Sequence, residues 1–131
     1  MKYLLFILCL FVFSCDSYKP ESAPTVEQQE TMKKKLSDFN DCNSSDGCRW
    51  YNDKYEDMPL YDYDLETGTI ILTIVAQPMA NNLAINAYVR TLKEMHKDIA
   101  VEQNLKIKVW QADWQGKAKI VEEYEVKGEK L

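Results

Sequence analysis

From residue 25 onward the apolar positions keep two rhythms, one near 3.6 residues and one of two. Their order along the chain predicts the elements. In "TVEQQETMKKKLSDFND" (25–41), Val26, Met32, Leu36 and Phe39 recur at helical spacing. Thr25 with Gln28 forms a capping box, and Glu27 and Glu30 lie in the first turns, where the helix dipole favours acids. Lys33, Lys34 and Lys35 fall largely on the wet side, a solvated face rather than a binding patch. In "PLYDYDLETGTIILTIVA" (59–76), Tyr61, Tyr63 and Leu65 alternate with Asp62, Asp64 and Glu66, a strand with one wet face. Thr67-Gly68 turns the chain. Ile70, Ile71, Leu72, Ile74 and Val75 leave little polar surface, so the second strand is expected to be central and covered on both faces.

Gln77-Pro78 ends that strand, and residues 81–102 predict the longest helix, with Ile85, Tyr88, Leu92, Met95 and Ile99 three or four apart. A second hairpin follows, "LKIKVWQADW", a Gln115-Gly116 turn and "KAKIVEEYEV". Leu105, Ile107 and Val109 face one way there, and Lys106, Lys108 and Trp110 the other. The order α-β-β-α-β-β predicts a small single α+β domain with an antiparallel-rich sheet, its strand order left open.

Before residue 25 both rhythms stop. Tyr3 to Phe13 is an unbroken apolar run of 11 residues behind a single Lys2. As a helix it would span about 16 Å, roughly half a bilayer's apolar core. A secretory signal fits that length better than a spanning helix, and a core helix would need polar punctuation on one face. "DSYKPESAP" (16–24), with two prolines and two serines, predicts a tether. The chain thus divides into a signal at 1–14, Cys15 with its tether at 15–24, and a globular domain at 25–131.

The junction "VFSC", with aliphatic Val12, small Ser14 and then Cys15, resembles the lipobox of bacterial lipoprotein signal peptides. Phe13 is bulkier than that pattern's usual residue. The resemblance covers only about the first 15 residues. It implies cleavage before Cys15 by signal peptidase II and acylation of that cysteine, which anchors the chain to the bilayer facing the periplasm. Several acyl chains anchor stably where one would not, at about 0.8 kcal/mol per buried methylene. The alternative is cleavage after Ser14 by signal peptidase I, which leaves a soluble protein with a free terminal thiol. Asp16 resembles the inner-membrane retention signal of enterobacterial lipoproteins; other bacteria follow other rules, so the outer membrane stays open.

Charge narrows the partners. Without the first 14 residues 117 remain, with 15 basic against 21 acidic side chains, since only Lys2 is lost. A net charge of −6 argues against a nucleic-acid surface and against a polybasic membrane patch.

Of the four cysteines, Cys9 leaves with the signal and Cys15 takes the lipid. Cys42 and Cys48 bracket the turn formers "NSSDG" and are expected to form a disulfide, which for so small a ring contributes about 2–2.5 kcal/mol. A redox motif would usually leave two residues between them, and zinc would need two further ligands. His96, the only histidine, is expected at the boundary of its helix. "DYDLETG" departs from the calcium-loop pattern, because Gly68 is seventh rather than sixth. No phosphate loop, dinucleotide fingerprint, nucleophile elbow or zinc-hydrolase motif occurs, and no cofactor is expected.

The most unusual stretch is "RWYNDKYEDMPLYDYDLE" (49–66), with five aromatics and six acids against two bases. Aromatic anchors in a polar rim suit a protein-binding surface, and the acids would steer a basic partner. Trp50, Tyr51, Tyr55, Asp62 and Asp64 are the candidates, with Trp110 and Trp114 joining them only if the two hairpins lie side by side. The competing expectation puts Tyr61 and Tyr63 in the core and leaves the acids to keep an edge strand soluble. The expectation is a lipid-anchored, non-catalytic binding module of the cell envelope, of inhibitor or immunity type, blocking a basic enzyme. An assembly or secretion accessory is the alternative, and a small periplasmic enzyme comes third.

Overall fold

The computed structural model describes residues 18–40, 61–78 and 80–131, without the side chains of 37–40. The expected signal at 1–14, Cys15, Cys42, Cys48, Trp50, Tyr51 and Tyr55 lie outside the described residues, as does the side chain of Phe39.

The elements run α1 (Val26–Asn40), β1 (Tyr61–Asp64), β2 (Thr69–Ala76), α2 (Asn82–Ala100), β3 (Asn104–Ala112) and β4 (Ala118–Val126). The order is the α-β-β-α-β-β expected, and the domain is α+β. The four strands form one mixed sheet in the order β1-β2-β3-β4. β1–β2 and β3–β4 are antiparallel hairpins, whereas β2 and β3 pair in parallel. A parallel pair needs a crossover, and α2 is that crossover.

Local chemistry explains the boundaries. The capping box closes α1 reciprocally: the Thr25 amide donates to Gln28 Oε1 at 2.8 Å and the Gln28 amide to Thr25 Oγ1 at 3.2 Å. Asn81 caps α2, accepting from the Ala84 amide at 2.9 Å. Both hairpin turns use a glycine in left-handed backbone, Gly68 at φ 63° and Gly116 at φ 86°.

The core lies between one face of the sheet and the two helices. Ile70, Leu72 and Ile74 of β2 and Leu105, Ile107 and Val109 of β3 meet Met32 and Leu36 of α1. Ile85, Tyr88, Val89, Leu92 and Met95 of α2 complete it. Tyr61, Tyr63, Tyr124 and Val126 pack around its rim. Val26, expected in the α1 stripe, is 74% exposed. Six residues at about 100° each set it roughly 120° round the axis from Met32. His96 is likewise no boundary residue: it is 2% exposed, four residues beyond Leu92 on the buried stripe.

Residues 18–24, part of the segment read as a tether, lie along the domain. The Tyr18 hydroxyl donates to the Glu102 carbonyl at 2.9 Å, and the Tyr18 carbonyl accepts from Asn104 Nδ2 at 2.9 Å. Gln103 Nε2 donates to the Ser22 carbonyl at 2.6 Å and Gln29 Nε2 to the Pro24 carbonyl at 3.1 Å. Pro20 and Pro24 are buried.

Candidate functional site

Side-chain alternation assigns each strand residue to one of two sheet faces. The pairing Tyr63↔Ile70↔Leu105 lies on the core face, so Asp62↔Ile71↔Lys106 lies on the face away from the helices. The same register sets Val75 beside Trp110, and Trp110 beside Ile120. The two hairpins are neighbours, and their face turned away from α1 and α2 carries Asp62 and Asp64 from β1 and Trp110 from β3, with Thr73 and Val75 of β2 buried on it. Asp62 is level with Lys106 and two strands away from β3. Trp110 therefore lies about 10 Å across the sheet and about 13 Å along it from Asp62, at ~4.8 Å per strand and ~3.3 Å per residue.

Charges on this face are mixed but tilt acidic. Asp62, Asp64, Glu123 and Glu125 stand with Lys106 and Lys108, and Lys106 pairs with Glu125 at 3.3 Å. The Asp64 carboxylate is partly committed to the hairpin turn, accepting from the Thr67 hydroxyl at 2.8 Å and the Glu66 amide at 3.0 Å. Those hydrogen bonds, the hydroxyl's first, hold its pKa below the usual carboxylate range, with Lys106 assisting. Asp62 is exposed, and among the described residues it accepts only from the adjacent Tyr63 amide, so its charge faces outward.

Tyr61 and Tyr63 turn the other way, onto the core, as the competing expectation had them. Burial raises both hydroxyls, Tyr61 to about 12 with help from Tyr63 and Asp62. The Tyr63 hydroxyl donates to Gln103 Oε1 at 3.0 Å, while the buried Tyr61 hydroxyl has no hydrogen-bond partner among the described residues. Both rings are partly buried at the rim of the core. Trp110 is half-buried, and Trp114 stands 80% exposed in the β3–β4 turn. That turn is held by local chemistry: the Asp113 carboxylate accepts from the Gln115 and Lys117 amides, each at 2.9 Å. Ile120 and Val121 are each 43% exposed beside it, and a shallow cleft of about 580 Å³ opens between Trp114, Pro78, Gln111 and Lys119.

No known protein family, curated protein or solved structure matches this chain. The surface must be judged on its own chemistry.

One cluster has no counterpart in the sequence reading. His96 Nε2 sits 2.6 Å from the Gln103 carbonyl, which can only accept, so the proton is on Nε2. Burial depresses the His96 pKa below 6.5, opposed by that hydrogen bond and by the Glu129 carboxylate. Gln103 is itself 4% exposed, and its side chain joins Tyr63 to Ser22. The cluster ties β1, the end of α2 and the N-terminal segment together. Among the described residues, no group of three or more His, Cys, Asp and Glu side chains could hold a metal ion, and no helix is long and apolar enough to cross a membrane.

Proposed function

We propose that this chain is a bacterial lipoprotein, acylated at Cys15 and facing the periplasm, whose domain binds another envelope protein without chemistry. The apolar run ending in "VFSC" supports the anchor. The sheet face turned away from α1 and α2 supports the binding role, and the observation that carries it is the combination of outward-facing Asp62 with Trp110 and an 80% exposed Trp114 on adjoining hairpins. Exposed aromatics are the residue type that most often dominates binding energy, and unpaired acids raise encounter rates with a basic partner. An inhibitor or immunity-type protein acting on a basic enzyme combines both features.

Photo-crosslinkers at Gln115 and Asp62 in native membranes would find the partner. Asp62→Asn should then slow association several-fold and flatten its salt dependence. An unchanged on-rate and salt slope would count against the electrostatic reading. The second reading, an assembly or secretion accessory, is favoured by β4. Its nine residues form an end strand with five consecutive exposed positions, an edge onto which a partner strand could add. Crosslinks running along β4 instead of from the Trp114 turn would select it.

A further inference from the structure

Residues 18–24 behave as a strap, and two glycines make room for it. Gly68 lies so close to the Pro20 ring that a Cβ there would collide with it. A Cβ on Gly128 would meet the Glu102 carbonyl and the Tyr18 ring, 2.7 Å from Cε1. Asn104 locks the arrangement. Its Nδ2 donates to the Tyr18 and Thr67 carbonyls at 2.9 and 3.1 Å, and its Oδ1 accepts from the Gly128 amide at 2.9 Å. Lys130 pairs with Glu21 at 3.2 Å across the exposed side of the strap.

The strap's consequence lies in chain length. Three residue steps join Cys15 to Tyr18, at most about 10 Å of fully extended chain. A free segment from Cys15 to Pro24 would reach about 30 Å. A gap of about 10 Å is no wider than one helix with its side chains, so no folded partner fits into it. The β3–β4 turn sits at the opposite end of the sheet. β3 starts at Asn104, beside Tyr18, and ends at Ala112, eight steps and about 26 Å further on at ~3.3 Å each.

We propose that the strap orients the domain on the bilayer. It holds the Tyr18–Glu102–Gly128 end against the lipid surface and leaves the β3–β4 turn with Trp114 as the end open to a protein partner. This rests on the lipid-anchor reading. It also ranks the candidate residues: Asp64 and the cleft of about 360 Å³ between Tyr18, Thr69, Ile71 and Lys106 belong to the membrane-proximal half, Asp62 stands level with Lys106 on the side of that half, and Trp114 belongs to the distal tip, so a partner that engages both Asp62 and Trp114 lies along the side of the sheet.

The test uses the full protein extracted from its own membranes and returned to lipid vesicles that carry a nitroxide on the headgroup. A small fluorescent residue is placed at Lys127 or at Gln115, both exposed. Quenching several-fold stronger at Lys127 than at Gln115 is expected. In Asn104→Ala, and more fully in Gly68→Val, the difference should shrink towards equality, while the thermal transition shows each variant still folded. Equal quenching at both positions in an acylated wild-type protein would overturn the orientation. A protein whose intact mass shows no acyl chain would instead remove the anchor, and the orientation with it.

Discussion

Acidification should destabilise this domain through one side chain. His96, the only histidine in the chain, is 2% exposed, and burial holds its pKa below 6.5. In the unfolded chain the same imidazole accepts a proton near 6.5. Between the two pKa values the unfolded state binds more protons, so stability is fully present above pH 6.5 and falls as pH drops towards the folded value. One proton sets the limit. Going from about pH 7.5 to about pH 5.5, the loss cannot exceed about 1.4 kcal/mol, or roughly 7 °C in Tm for a domain near 100 residues. Urea denaturation at a series of pH values, for wild type beside His96→Gln, isolates the effect. The glutamine keeps a donor for the Gln103 carbonyl but cannot titrate. Its curve should start lower and run flatter across this window, with carboxylate contributions common to both proteins. Parallel curves would mean that the imidazole titrates alike in both states, against a folded-state pKa held down by burial.

Three further outcomes follow from the packing and the surface. Ile107→Ala removes a fully buried side chain between the sheet and both helices, and should cost about 2–5 kcal/mol as a lower urea midpoint at unchanged slope. Thr25→Ala opens one half of the α1 capping box and should cost about 1 kcal/mol, largely restored by Thr25→Ser. Trp114→Ala should leave stability within about 0.5 kcal/mol, since the side chain is exposed, yet weaken partner capture at least tenfold; unchanged capture would move the binding surface elsewhere.

Much of the fold was legible because its signals are local. Period-2 alternation in 61–66 and 105–110, the capping box at Thr25 and the turn glycines each lie within a few residues of the element they define. The strand order was not legible, because whether α2 carries the chain to a parallel or an antiparallel neighbour is decided by packing. The strap was invisible for a related reason. Tyr18 and Ser22 find their partners at Glu102, Asn104 and Gln103, more than eighty residues away, while two prolines and two serines look locally like a linker. His96 could have been placed better, since four residues beyond Leu92 continues the apolar stripe; its polarity hid a position that the spacing already marked as buried. Of the candidate surface, the exposure of Asp62 was readable from alternation. Its company with Trp110 depended on the parallel β2–β3 pairing, which no local pattern encodes.

A lipid at Cys15, as proposed, would decide where this domain sits and which of its ends can meet a partner. Intact-mass analysis of the membrane-extracted protein, beside a Cys15→Ala variant, measures it directly. A mature chain beginning at Cys15 that carries acyl mass is expected, with that mass absent from the variant. A chain beginning at Cys15 without added mass, recovered in the soluble fraction, would contradict it.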